Sequence, residues 1–300
     1  MRVFLTGATG FIGSRILSEL IDAGHDVLGL ARSDAAARRL EAAGAEVVRG
    51  TLEDPDSLAR GAAGADAVIH TAFNHDFSRY AENSEMDRQA IQAMGAALAG
   101  SDRPFIVTSI IGMGITKPGV AATEDAVDWN HANPRAASER AAAEVAQQGV
   151  AVAVVRLPQV HDTTRQGLIT WMIDLAREKG VSAYVEEGAN RWSAAHVSDV
   201  ARLYRLALEQ HEPGVRYHAV AEEGVPMREI AEAIGAGLGV PVVSLSHDEA
   251  ADHLGWLSMF VGRDMRASST WTRERLGWQP VGPSLIADLR AGEYRPASAA

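Results

Sequence analysis

The sequence predicts an α/β fold: a doubly wound parallel sheet with a small interleaved C-terminal lobe. Three observations predict it. The first half alternates short apolar runs with amphipathic runs, the pattern of a parallel sheet covered by helices. The apolar runs are continuous rather than alternating, as in Val152-Ala153-Val154-Val155, which suits strands buried on both faces. Finally, Gly7, Gly10 and Gly13 fall between an apolar run, Val3-Phe4-Leu5, and a stretch whose apolar residues recur at helical spacing. They mark a strand–turn–helix junction on which a dinucleotide pyrophosphate can rest against the N–H groups of a helix start. The turn makes the expected sheet Rossmann-type.

Strands are expected, in order, at residues 2–5, 27–31, 46–49, 67–71, 105–108 and 150–155, and helices at 13–23, 35–43, 55–63, 84–98 and 134–148. Gly24, Gly44, Gly100 and Gly149 stand just past four of these helices, where helix-ending glycines belong. Beyond Arg156 the pattern loosens. Helices are expected at 168–179, 197–209 and 227–238, and strands at 183–185 and 216–220. Ser246 starts a helix through Leu254, with Glu249 placed for a capping box. The tail at 296–300 reads as frayed.

Composition limits function. The 300 residues are 47% hydrophobic, enough for a large core, and carry a net charge of −11, which argues against nucleic acid as the main partner. No run is long and apolar enough to span a membrane, and no signal-peptide pattern opens the chain. The absence of cysteine removes disulfides, thiolate catalysis and Cys-based zinc sites, and the ten histidines show no metal-ligand spacing, so no metal is expected. A cytoplasmic protein is expected.

Several segments in a fixed order resemble the extended and atypical short-chain dehydrogenase/reductase superfamily, the NAD-dependent epimerase/dehydratase-like group. Residues 6–13 resemble its T-G-x-x-G-x-x-G fingerprint, and His70-Thr71-Ala72 its H-x-A segment along the cofactor. Thr108-Ser109 stands where the family keeps a catalytic Ser or Thr. Arg156-Leu157-Pro158-Gln159-Val160-His161 is similar to its R-x-P segment beside the nicotinamide. His196-Val197-Ser198-Asp199-Val200-Ala201 and Leu276-Gly277-Trp278-Gln279-Pro280 resemble its V-x-D-V-A helix start and its L-G-W-x-P tail. The resemblance implies a cofactor-binding core over residues 1–161. Residues 162–300 then form mainly the substrate lobe, with 194–220 returning to the core.

It also implies cofactor contacts from Gly7, Thr9, Gly10, Phe11, Ile12, Gly13, Thr71, Ala72, Phe73 and Pro158. Thr51 and Leu52 stand where the family often carries an Asp against the adenine, leaving a weaker or backbone-only contact. At the end of the second strand, Arg32 and Ser33 replace the carboxylate that binds a ribose 2′-hydroxyl in NAD-selective proteins. A guanidinium and a hydroxyl suit a 2′-phosphate, so NADP(H) is the expected cofactor.

The family's catalytic Tyr and Lys are missing. In register, Arg135 takes the Tyr position and Glu139 the Lys position. Arg stays protonated, making it a poor general acid but a good clamp for a developing oxyanion. Ser109 and Arg135 are therefore expected to hold a substrate oxygen, with the proton coming from a water, from His161, His75 or His131, or from Tyr80 in its loop. Phe73, Phe77, Ile110, Ile111, Met113, Trp192, Trp256, Met259 and Phe260 give the expected pocket an apolar, aromatic character. The preferred reading is an NADP(H)-dependent carbonyl reductase or alcohol dehydrogenase on an apolar small or medium carbonyl compound. The alternatives are a nucleotide-sugar epimerase or dehydratase, for which Arg165 and Arg191 are the nearest phosphate partners, and a non-catalytic NADP(H)-sensing binding protein. A homodimer through residues 84–98 and 134–148 is implied by the resemblance alone.

Overall fold

A computed structural model describes residues 1–292. The expectation at 296–300 lies outside the described residues. The central sheet carries β1 (Arg2–Thr6), β2 (Asp26–Ala31), β3 (Glu46–Arg49), β4 (Ala67–His70), β5 (Phe105–Ile110), β6 (Val152–Leu157) and β10 (Arg216–His218). Its spatial order is β10-β6-β5-β4-β1-β2-β3, with every pairing parallel. The chain starts in the middle at β1, winds outward through β2 and β3, and returns to β4 on the other side. The order reverses between β1 and β4, so the carboxyl ends of these strands open into the crevice where such sheets bind ligands.

Helices cover both faces. On one lie α1 (Phe11–Asp22), α2 (Asp34–Ala42) and α7 (Val197–Glu209), burying Ile16, Leu20, Leu40, Leu203 and Tyr204 against Val3, Leu5 and Ile69. On the other lie α3 (Pro55–Ala63), α4 (Tyr80–Leu98) and α5 (Ala136–Gln147), packing Leu58, Ile91, Met94 and Val145 on Phe4, Val68 and Phe105. β1 shows why its run is continuously apolar: Val3 and Leu5 face one layer and Phe4 the other, all fully buried.

The remaining elements build the lobe. They are β7 (Gln159–His161), α6 (Leu168–Lys179), β8 (Ser182–Val185), β9 (Arg191–His196), β11 (Glu222–Pro226), α8 (Met227–Leu238), β12 (Val242–Leu245), α9 (His247–Leu254), α10 (Ser258–Val261), α11 (Thr270–Leu276) and α12 (Leu285–Ala291). β7, β9 and β11 form a three-stranded sheet and β8 pairs with β12. Their core gathers Ile169, Ile173, Trp192, Ile230, Ile234 and Leu285.

Most expected elements stand within a few residues of their places, and α3, α6, α7 and α8 match end to end. The expected capping box is formed, Ser246 accepting from Glu249 N while Glu249 accepts from Ser246 N. Two bounds move. β6 starts at Val152, because Val150 N still bonds to Val145 O and closes α5. α4 starts at Tyr80 instead of 84, because a 3₁₀ turn at Phe77–Arg79, capped by Asp76, runs straight into it.

Candidate active site

The glycine turn is tied to the end of β4. Thr71 Oγ1 donates to Thr6 O at 2.8 Å, and the backbone N–H groups of Thr71 and Ala72 both donate to Thr6 Oγ1 at 3.2 Å. Gly7 has φ +73°, and a Cβ there would sit 2.7 Å from Thr71 Oγ1 and 2.8 Å from Ala72 N. A Cβ on Gly13 would overlap the Gly7 carbonyl, so only glycine lets α1 approach the turn this closely. Gly10 is the N-cap of α1 with no side-chain cap, leaving the first N–H groups of the helix open to an anion. These residues fit a dinucleotide diphosphate. Phe11 and Ile12 are half-buried against the core beneath α1, Thr9 is half-buried beside them, and Pro158 is half-buried at the end of β6.

At the end of β2, Arg32 is exposed. Ser33 caps α2 by accepting from Ala36 N at 3.2 Å, which leaves its O–H free to donate. Arg39 reaches back from α2 to the turn and donates to Thr9 O at 3.2 Å. Two guanidinium groups thus stand on this side of the crevice. Leu52 packs against the core, with Thr51 half-buried next to it.

From Thr6 a buried chain of hydrogen bonds runs to the start of α5. Thr6 Oγ1 already accepts two N–H groups, so its O–H donates to His70 Nδ1 at 2.7 Å. On its other side, His70 Nε2–H donates to Asp87 Oδ1 at 3.1 Å. Asp87 Oδ2 accepts from Arg135 Nη1 at 2.5 Å and from Ser138 Oγ at 2.6 Å. Burial pushes the Asp87 carboxyl up, but Arg135, His70 and Ser138 outweigh it and hold it at about 2. Arg135 Nη1 also contacts Ser138 Oγ, and Nη2 donates to Thr108 O at 3.2 Å. The guanidinium lies 4.2 Å from the centre of the Phe73 ring. Of its five N–H groups, Nε–H and one on Nη2 have no partner among the described residues.

One turn along α5, Glu139 is enclosed by a second network. It accepts from Arg156 Nε and Nη2 at 3.1 and 2.5 Å, from Arg216 Nε at 2.7 Å and from Ser109 Oγ at 2.9 Å. Burial raises its pKa, and the bonds and charges of Arg156, with Ser109 and Arg216, bring it below the usual carboxylate range. Arg135 reaches the Thr108 carbonyl at the end of β5, but the hydroxyl of the next residue, Ser109, donates to Glu139 rather than being free for a substrate oxygen as expected.

His161 is placed elsewhere. It is fully buried on β7, its Nδ1 lies 2.7 Å from Asp288 Oδ2 on α12, and its ring packs 5.8 Å from that of His196. Its Nε2 has no hydrogen-bond partner among the described residues, and burial lowers its pKa against the pull of Asp288. None of these contacts reaches Ser109 or Arg135. His75 and Tyr80 are closer to the reacting end. His75 has its pKa lowered by burial and then by the Arg135 charge. Burial raises the pKa of Tyr80, whose hydroxyl bonds to Asn133. His131, half-buried, accepts from Asn133 N at its Nδ1.

The aromatic residues expected at the substrate divide into two sets. Phe77 stacks on Trp256 at 4.8 Å and meets Trp171 edge-on at 5.4 Å, joining the loop after β4 to the lobe. Phe73 lies edge-on to His75 and Tyr80. Ile111, Met113 and Trp192, by contrast, are buried core residues, and Trp192 Nε1 is bonded to Arg263 O, so these three do not line an open cleft. Among the described residues no group of His, Asp or Glu could hold a metal ion, and no helix is long and apolar enough to cross a membrane.

Comparison with known proteins agrees with the fold. The family model described as the NAD dependent epimerase/dehydratase family matches residues 3–221. An uncharacterized protein of Schizosaccharomyces pombe is 45% identical over 295 residues, covering 98% of this chain and 100% of its own. A Stigmatella aurantiaca protein, 4-hydroxy-2-methyl-3-oxo-4-farnesyl-3,4-dihydroquinoline-1-oxide ketoreductase, is 27% identical over 271 residues, covering 85% of this chain and 80% of its own. Among solved structures, a dTDP-glucose 4,6-dehydratase of Streptomyces venezuelae with NAD bound superposes with a TM-score of 0.77 at 21% identity, covering 97% of this chain and 95% of that one. At that identity the likeness speaks for the fold.

Proposed function

The chain belongs to the NAD dependent epimerase/dehydratase family, and we propose that within it the protein is an NADP(H)-dependent carbonyl reductase acting on an apolar carbonyl compound. The observation that carries the reading is Arg135, a buried cation with two unengaged N–H groups where the resemblance puts the catalytic Tyr. The name of the Stigmatella relative, a ketoreductase, supports the reaction type.

The glycine turn and the open start of α1 hold the diphosphate, while Arg32 and Arg39 offer guanidinium groups to a 2′-phosphate. The carboxylate nearest in sequence after β2, Asp34, is paired with Arg49. Bound there, the reduced nicotinamide supplies a hydride. Arg135 donates its unengaged N–H groups to the substrate oxygen and stabilises the negative charge that grows on it as the C=O bond becomes C–O. The proton that completes the alcohol comes from Tyr80, which burial keeps protonated at neutral pH, and water restores it. Ser109 acts one step back, holding Glu139 at the end of β5. Phe73, Phe77, Trp171 and Trp256 supply an apolar, aromatic surround, which favours a hydrophobic substrate over a sugar nucleotide.

The test is transfer of label. With NADPH carrying deuterium at the transferable position and a panel of aromatic and aliphatic aldehydes and ketones, the reading predicts an alcohol product with one deuterium on the former carbonyl carbon. Tight NADPH binding with no labelled product from any member of the panel would contradict it.

A further inference from the structure

We propose that Asp87 sets the charge of the substrate: by neutralising Arg135 it makes the site select an uncharged carbonyl compound and reject one that carries a carboxylate beside Arg135. The proposal rests on the reading of Arg135 as the oxygen-binding group. An arginine at the base of a binding site ordinarily captures anions, because its charge repays the dehydration of a carboxylate. Here the charge is already matched. Asp87 is fully buried, its Oδ2 lies 2.5 Å from Arg135 Nη1, and it is held ionised by Arg135, His70 and Ser138. The pair presents two N–H donors and no net charge. A neutral carbonyl oxygen gains those hydrogen bonds at little cost in dehydration. A carboxylate would lose its water and face the Asp87 charge as well as Arg135.

The second buried carboxylate, Glu139, adds no negative charge here, because both Arg156 and Arg216 hold it. Arg165, whose charge reaches His75, and Arg79, paired with Glu82, are further cations near the loop after β4. None of these brings an uncompensated carboxylate to the Arg135 end, so rejection of an anion is assigned to Asp87.

The experiment measures binding and turnover separately, at pH 7 with NADPH saturating. Benzamide and benzoate are titrated calorimetrically as neutral and anionic probes, and benzaldehyde and 2-carboxybenzaldehyde serve as matched substrates. The native chain is expected to bind benzamide about tenfold or more tighter than benzoate. In Asp87→Asn the uncompensated Arg135 should tighten benzoate by about tenfold or more and leave benzamide nearly unchanged. The double variant Asp87→Asn/Arg135→Gln, which has no unpaired buried charge, should lose that gain. Matching changes are expected in KM for the carboxylated aldehyde. Tighter benzoate than benzamide on the native chain overturns the proposal even if Asp87→Asn does not fold. So does an unchanged preference in a folded Asp87→Asn, or binding of neither probe by any form. If the binding preference shifts as expected while no aldehyde consumes NADPH, the Asp87 inference stands and the reductase reading falls.

Discussion

Two buried arginine–carboxylate pairs stand one helical turn apart and do different work. Arg156 engages Nε, Nη1 and Nη2 with Glu139, the Thr123 and Ala126 carbonyls and His218, and Glu139 in turn takes Arg216 and Ser109. Every nitrogen of the Arg156 guanidinium has a partner, and the network pins β5, β6, β10 and α5 together. Arg135 is held on Asp87, Ser138 and the Thr108 carbonyl, yet keeps donors in reserve beneath Phe73. The difference separates a structural ion pair from a candidate catalytic one: both are buried, but every nitrogen of Arg156 has a partner, whereas Nε of Arg135 has none among the described residues.

The largest expected effect breaks the closed network. Arg156→Met leaves Glu139 short of its main partner in a buried site and should cost roughly 3–5 kcal/mol of stability in denaturant unfolding. An unfolding midpoint close to that of the native chain would remove the distinction between the two pairs. A pH titration sharpens the same point. Burial, then the Arg156 charge, lowers His218 from 6.5 to about 4. Between those values the unfolded chain takes up the proton and the folded chain does not, so stability is full above about pH 6.5 and falls as pH drops towards 4. The loss assigned to this one group is about 3 kcal/mol, and His218→Gln should flatten that part of the profile.

The open pair is broken by Arg135→Lys, which keeps the charge and loses the fork. Turnover should fall about a hundredfold, with NADPH affinity little changed. Equal losses in both would make Arg135 a structural residue like Arg156. Smallest is the cofactor side: Arg32→Ala should weaken NADPH by about tenfold in a fluorescence titration and leave NADH alone. Equal affinity for the two cofactors in the native chain would contradict the assignment of NADP(H).

The cofactor half was legible because its signals are local. Three glycines in seven residues, an apolar run before them and a helical period after them place the turn. Helix-ending glycines then punctuate the rest of the core, and Gly24, Gly44, Gly100 and Gly149 all adopt positive φ. The reacting half was legible only as an absence, since Arg135 and Glu139 announce that Tyr and Lys are missing without saying what they bind. Asp87 lies 48 residues from Arg135 and carries no local signature on α4, so the pair needed the folded chain. The same holds for His161, whose sequence neighbours point to the nicotinamide while its bonded partner, Asp288, is 127 residues away. In the lobe, β7, β11 and β12 are too short to show a period, and only their pairing defines them.

The central claim is that a reductase works here through an arginine rather than a tyrosine–lysine pair. The most direct test is NADPH oxidation in a single turnover, with enzyme in excess over cofactor and a saturating aromatic aldehyde, comparing the native chain with Arg135→Lys. The account predicts oxidation above the substrate-free control in the native chain and a rate about a hundredfold lower in the variant. Oxidation at the same rate in both forms, or binding of NADPH with no oxidation in either, would contradict it.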